Sequence, residues 1–347
     1  VSPFKRWARI LVAGAVGAAC SNAGAGRVLT ISGVGQVSGE AYFDANGSRT
    51  PDAGEVGFTG VGVRLIATGT LDTVAKATTN AQGVFTMNGV AAGNYTITVD
   101  TTTLKGDTVF VTRIDTSAFT LAPGESVQVA IAIAYPEVPI HAIDTLPLNK
   151  KVFVAGVALT GVNGLGVFGD TTGNFADATG AVRVVGMRNA FVAVGDSDRV
   201  LGVVRRDPAD ITLRAFGFAS LTLLTPPGPG GASQILDTLT TAQAVTANGG
   251  ASDAALVLLS DTMGTVKDTA TIVGPHGPYF RMHIQGTGSA TLLEVRLDSI
   301  AGFFTNLGRP PAKDSVGLKV AFSGILVPTG TVGVWTLKPR SPSDQRP

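Results

Sequence analysis

Oxygen-bearing side chains gather most densely in the stretch Asp44-Ala-Asn46-Gly-Ser48-Arg-Thr50-Pro-Asp52-Ala-Gly-Glu55. Counted from Asp44 they fall at positions 1, 3, 5, 9 and 12, and Thr50 offers a backbone carbonyl at position 7. A twelve-residue loop with that spacing can wrap a hard cation, its terminal Glu supplying two oxygens. The competing reading is a solvated Asp/Asn turn that binds nothing. Two positions count against the cation. Arg49 stands at position 6, where Gly would permit a sharp turn with φ > 0. Ser48 at position 5 is neutral, which leaves three carboxylates.

Other chemistry is thinner. The three histidines, His141, His276 and His283, do not pair at ligand spacing with one another or with a cysteine. No Gly-x-Ser-x-Gly, P-loop or dinucleotide signature sits in a strand–turn–helix setting. Asp177 and Asp196 lie in Gly turns, where a turn-capping role is the ordinary explanation. No catalytic residues are expected. The single cysteine, Cys20, excludes an intrachain disulfide framework and a Cys-rich zinc site.

The elements that must position these residues are short. Gly at 45 and Pro at 18, against 15% charged residues, describe many turns joining short strands. At 347 residues, 44% of them apolar, the chain can hold two or three β-rich domains. Charge is unevenly spread although the net is +1. Residues 28–145 carry 5 basic and 11 acidic groups, residues 146–225 carry 8 and 6, and residues 252–347 carry 9 and 7. An acidic first module is thus followed by two weakly basic ones, neither with the charge density of a committed DNA binder.

In the first module, residues 28–135, the stretch from Ser38 leads as a strand into the Asp44 loop. A second strand runs from Gly60 to Ala67 with Val61, Val63 and Leu65 inward. Further strands at 84–87, 94–99, 109–112 and 127–134, with turns every 8–12 residues, describe a seven-stranded β-sandwich. The segments Gly39-Glu-Ala-Tyr-Phe-Asp-Ala-Asn-Gly, Asp52-Ala-Gly-Glu55, Gly60-Val-Gly-Val, Thr79-Asn-Ala-Gln-Gly-Val-Phe and Gly89-Val-Ala-Ala-Gly-Asn-Tyr95 occur in order over about 100 residues. In these the module resembles the B-type domain of bacterial serine-aspartate-repeat adhesins, in the collagen-adhesin B (prealbumin-like) superfamily. The resemblance implies a structural Ca²⁺ held by Asp44, Asn46, Ser48, Asp52 and Glu55, with Thr50 giving its carbonyl. Some members carry a Lys–Asn isopeptide bond; the first strand here has no lysine, and none is expected.

After a linker at 136–147, residues 148–225 read as five strands with Gly bends at Gly156 and Gly202, which fits a small closed barrel. The run Phe-x-Asp-Ala-Thr-Gly, Val-Arg-Val, then Val-Gly-Asp-x-x-x-Val-x-Gly-Val-Val resembles OB-fold modules of bacterial secreted proteins. A Pro/Gly linker and a helix at Gln234–Ala247 fill residues 226–250. The pattern then returns over 252–343 as a second OB-like five-stranded barrel. The expected fold is all-β.

OB barrels bind single strands or sugars on strands 2–3, and a nucleic-acid surface needs cations with aromatics for stacking. The candidate ligand-binding residues are Phe175, Arg183 and Arg188 in the first barrel, with Arg199, Arg205 and Arg206 nearby. Tyr279, Arg281 and His283, with Arg296, are their counterparts in the second. The expected partner is an unidentified surface ligand, with single-stranded nucleic acid or polysaccharide as the alternative. The competing reading makes the barrels structural or protein-binding, with Phe175 facing the core.

At the N-terminus Lys5, Arg6 and Arg9 precede an apolar run from Ile10 to Ala19 and small residues, the pattern of a signal peptide over residues 1–25. Gly17-Ala-Ala-Cys20 resembles a bacterial lipobox, which would make Cys20 a lipidation site and tie the protein to a membrane through that anchor alone. Cleavage after Ala23-Gly-Ala25 is the alternative. Together these readings describe a non-enzymatic, exported, cell-surface protein for adhesion or ligand binding, stabilised by calcium. The alternatives are a nucleic-acid or polysaccharide binder assisting a secreted hydrolase, and a subunit of an extracellular filament.

Overall fold

The computed structural model describes residues 33–104, 109–162, 165, 171–188, 190–225, 236–260, 264–274, 277–298 and 316–346. The signal-type segment with Cys20, and His276, lie outside the described residues. The chain divides into two compact units. One gathers the chain up to Tyr42 with Val56–Leu104 and Arg113–Ala132; the other takes Phe43–Glu55 and everything from Ile133 onward, with 105–112.

The first part of the chain forms eight strands: β1 (Val34–Phe43), β2 (Gly62–Ala67), β3 (Thr73–Thr78), β4 (Val84–Ala91), β5 (Gly93–Asp100), β6 (Phe110–Ile114), β7 (Ala118–Leu121) and β8 (Ser126–Ala134). They pair as two four-stranded sheets, β4-β1-β8-β6 and β3-β2-β5-β7. Alternation sets the buried face: Val37 and Ala41, Val63 and Leu65, Phe85 and Met87, and Tyr95 and Ile97 are all buried. A Cβ on Gly39 would stand 1.9 Å from the Val129 carbonyl oxygen, so only glycine lets β1 lie this close to β8. Seven strands were expected, six of them placed by residue, and eight are present among the described residues. The two that were not placed are β3 and β7: β3 has no fully buried residue and so no apolar face to betray it, and β7 is only four residues long.

In the second unit β9 (Lys151–Ala158), β10 (Gly173–Asp177), β11 (Gly180–Val185), β12 (Ser197–Arg206) and β13 (Arg214–Thr225) close into a five-stranded barrel in the order β10-β11-β13-β12-β9. Pairing is antiparallel except between β11 and β13. Val152, Val154, Phe175, Val184, Val200, Val204 and Phe216 fill its interior. Residues 136–147, expected as a linker, contribute a 3-10 helix, Ile140–Asp144, whose Ile140 and Ile143 join that core. The stretch Ile211–Leu213 is a turn in which Asp210 accepts hydrogen bonds from the backbone and hydroxyl of Thr212.

The remainder holds β14 (Leu236–Leu239), the short helix α1 (Thr241–Val245), β15 (Leu256–Leu259), β16 (Gly264–Gly274), β17 (Gly277–Gln285), β18 (Leu292–Asp298), β19 (Lys319–Pro328), β20 (Trp335–Lys338) and β21 (Gln345–Arg346). They form an eight-stranded sheet, β14-β15-β19-β16-β17-β18-β20, in which β21 joins β19 and β19 also pairs β20. Six of these strands, β15 to β20, lie within residues 252–343, one more than the expected five. The helix expected at Gln234–Ala247 shrinks to five residues. Thr240 caps it in a reciprocal box with Gln243, and Leu236–Leu239 goes instead into a parallel pair with β15.

Candidate functional site

In the Asp44–Glu55 loop the carboxylates are engaged by the loop itself. Asp44 is buried, and its Oδ1 accepts from Gly47 N at 2.7 Å. Glu55 accepts from Ala45 N at 3.0 Å and from Asp52 N at 3.1 Å. Asp52 Oδ2 accepts from Ser48 Oγ at 2.6 Å and Asn46 Nδ2 at 2.8 Å, and these bonds hold its carboxyl below the usual range. Ser48 Oγ also lies 2.9 Å from the Thr50 carbonyl oxygen. Burial pushes Glu55 up, and the neighbouring charges of Asp44 and Asp52 add to the shift. Arg49 sits at φ 60°, the left-handed region its side chain disfavours.

The fit to a cation is therefore divided. An all-oxygen set that includes three carboxylates has the right chemistry for Ca²⁺. The geometry is that of a loop closed on its own amides, and among the described residues no three acidic, His or Cys side chains converge as a metal group. Arg199 fastens the loop from outside. Its NH1 donates to the Ala45 carbonyl at 3.0 Å, its Nε to Glu137 at 2.8 Å, and its guanidinium lies 3.8 Å from the Phe153 ring centroid.

The first barrel does not supply the expected ligand surface. Phe175 is 1% exposed and belongs to the barrel core, so neither ring face is open for stacking. Arg183 is buried. Its NH2 donates to both oxygens of Asp253 at 3.0 and 2.9 Å, and its NH1 stands 3.2 Å from Asp207. Trp335 Nε1 donates to Asp253 at 2.6 Å, and burial still pushes that carboxyl up despite the arginine. Arg183 is thus a structural tie between β11 and the segment before β15. Arg188 stays exposed in the turn after β11, and Arg205 and Arg206 are exposed at the end of β12.

The other three candidates do share a face. On β17 the alternating Phe280, Met282 and Ile284 are buried, which turns Tyr279, Arg281 and His283 to the opposite side. Arg296 of β18 lies over the Tyr279 ring at 3.7 Å and donates to Asp298 at 2.8 Å. His283 Nδ1 is 2.8 Å from Asp268 of β16, and its Nε2 is 3.8 Å from Glu294. The strand register explains these pairs, since His283 faces Asp268 on one side and Glu294 on the other. Asp268, Glu294 and Asp298 were not singled out in the sequence; cross-strand register is the signal that selects them.

A further group escaped sequence reasoning. Asp198 on β12 is fully buried, and neither carboxylate oxygen has a hydrogen-bond partner among the described residues. Burial, then the charge of Asp196, pushes its carboxyl up to about 6. Asp177 and Asp196 do act as turn caps. Asp177 accepts from the backbone of Thr179 and Gly180, and Asp196 from Ala193 N.

No family model matches the chain, and no curated protein matches it. Among solved structures it is similar to replication protein A in a heterotrimer bound to single-stranded DNA, at 10% identity over 55% of this chain and TM-score 0.26. The matched region spans 47%, about half, of that chain. It is also similar to the minor pilin of Streptococcus agalactiae, at 16% identity over 56% of this chain and 98% of that one, TM-score 0.21. The major pilin subunit of Bacillus cereus gives 9% identity, coverage of 88% and 92%, and TM-score 0.21. Scores this low mark distant likeness among β-rich proteins and carry no argument about function.

Proposed function

We propose that the chain is a non-enzymatic, exported surface protein of the adhesion or ligand-binding kind, with its ligand face on the outer side of β16–β18. The observation that carries this reading is the shared face of Tyr279, Arg281, His283 and Arg296 on adjoining strands. On this reading the two N-terminal sheets are a B-type, prealbumin-like sandwich acting as a spacer, and β9–β13 is an OB-like barrel. The region β16–β20 is read as a second OB-like barrel. Its pairings β16–β17, β17–β18, β18–β20 (parallel), β20–β19 and β19–β16 repeat the order and polarity of β9–β10, β10–β11, β11–β13 (parallel), β13–β12 and β12–β9. The face then falls on the second and third strands of the barrel, where such folds take ligands.

Calcium in this proposal would be held by Asp44, Asn46, Ser48, Asp52, Glu55 and the Thr50 carbonyl, and would relieve the repulsion among the three carboxylates. Export, surface attachment and lipidation at Cys20 rest on the N-terminal sequence alone. The test of the ligand face is calorimetric titration of the full chain with oligosaccharides and with oligothymidylate at low salt. The wild type should bind at least one of them, and Tyr279→Ala should weaken that binding at least tenfold. Absence of binding to every probe, or binding indifferent to Tyr279→Ala, overturns the reading.

A further inference from the structure

On the ligand face, Arg281 is left uncompensated among the described residues. Arg281 stands directly opposite Arg296 across the β17–β18 pair. Like charges in that position repel and destabilise the pair. Arg296 is relieved by Asp298 and by the Tyr279 ring beneath it. Arg281 has neither kind of relief: it makes no ion pair among the described residues, and its Nε is buried without a hydrogen-bond partner. On the β16 side its neighbour in register is Ala270, whose side chain is too short to cover or bond a guanidinium. An unsatisfied buried donor beside a like charge is a net cost to the folded chain, and a planar fork of donors is suited to an oxyanion.

We infer that Arg281 is the anion-recognising residue of this face and that its ligand is an acidic polysaccharide, whose carboxylate or sulfate the guanidinium receives. The inference rests on the ligand-face reading above. Polysaccharide is favoured over nucleic acid by what surrounds the arginine. A single-stranded nucleic acid brings a charge at every nucleotide and asks for a cationic track with open aromatic faces. Here Asp268, Glu294 and Asp298 interrupt the positive charge, and one face of Tyr279 is covered by Arg296. A chain with one anion per repeat and hydroxyls between meets the arrangement better: the anion goes to Arg281, and hydroxyls donate to Asp268 and Glu294.

The test uses the full chain with tetramers of galacturonate and glucuronate, their methyl esters and oligothymidylate as probes. At least one acidic tetramer should bind at least ten times more tightly than its ester, which has the same shape without the charge. Arg281→Gln should remove that preference, and Arg281→Lys should restore part of it; a melting midpoint no lower than that of the wild type certifies each variant as folded. If acid and ester bind alike, or Arg281→Gln binds as the wild type does, the oxyanion assignment falls; loss of all binding in Tyr279→Ala would then leave the ligand face standing. If oligothymidylate binds more tightly than either acidic tetramer, with a salt dependence of several charges, polysaccharide is the wrong polymer.

Discussion

Replacing Asp198 by asparagine should make the second unit's stability less sensitive to pH. The carboxyl is fully buried on β12 with no partner for either oxygen among the described residues, and it is raised from 3.8 to about 6. Because the folded value lies above the unfolded one, the native state holds this proton more tightly. The contribution is fully present below pH 3.8, is lost as pH rises through 6, and is gone above it. A shift of about 2 pH units corresponds to about 3 kcal/mol over the whole window, of which about 2 kcal/mol falls between pH 4.5 and 7.5. Asparagine keeps the shape and cannot ionise. Urea unfolding of wild type and Asp198→Asn, followed through Trp335 with Trp7 replaced by Phe, gives four stabilities at the two pH values. Whatever constant penalty the buried amide brings cancels in the double difference, which should favour the variant by about 2 kcal/mol at the higher pH. Parallel pH dependences would refute the reasoning and show that Asp198 is ionised without cost, or has a partner in the native state.

Arg183→Ala should destabilise the same unit by about 3–5 kcal/mol in urea, because it strands Asp207 and Asp253 as uncompensated buried carboxylates. Gly83→Ala should cost about 2 kcal/mol or more, since the residue has φ 78° and a Cβ would lie 2.2 Å from the Ala41 carbonyl oxygen; an unchanged denaturation midpoint would contradict the geometry. Millimolar calcium should raise the melting midpoint by mass action, and Glu55→Gln should abolish the rise; a midpoint indifferent to calcium and chelator leaves the loop as a self-bonded turn.

The parts of the fold that could be read from the chain are those in which one face is buried. Phe280, Met282 and Ile284 alternate with Tyr279, Arg281 and His283, so both the strand and its two faces are visible in the sequence. Strand β3 hides because Thr73–Thr78 buries nothing fully. Phe175 and Arg183 were candidate ligand residues, and for Phe175 the competing reading, a ring facing the core, is the one the structure bears out. Whether Phe175 points inward is decided by closure of the barrel. The fate of Arg183 is decided by Asp253, seventy residues away in sequence. Long-range partners of buried charges leave no local pattern to find. The Asp44–Glu55 spacing is local and was visible, yet the same oxygens serve a cation or their own amides equally well.

The hold of Arg199 on the Ala45 carbonyl bears on how the chain can be cut and recombined. The loop is continuous in sequence with β1 and β2, so an excised fragment covering residues 28–135 would include every proposed calcium ligand. It would lack Arg199, Glu137 and Phe153, the residues that fasten the loop from outside. Cation affinity measured on such a fragment would describe an unfastened loop. Exchange of this segment between related proteins, by recombination or by design, would have to carry the arginine of β12 with it. The heritable unit is thus wider than the stretch of sequence that names it.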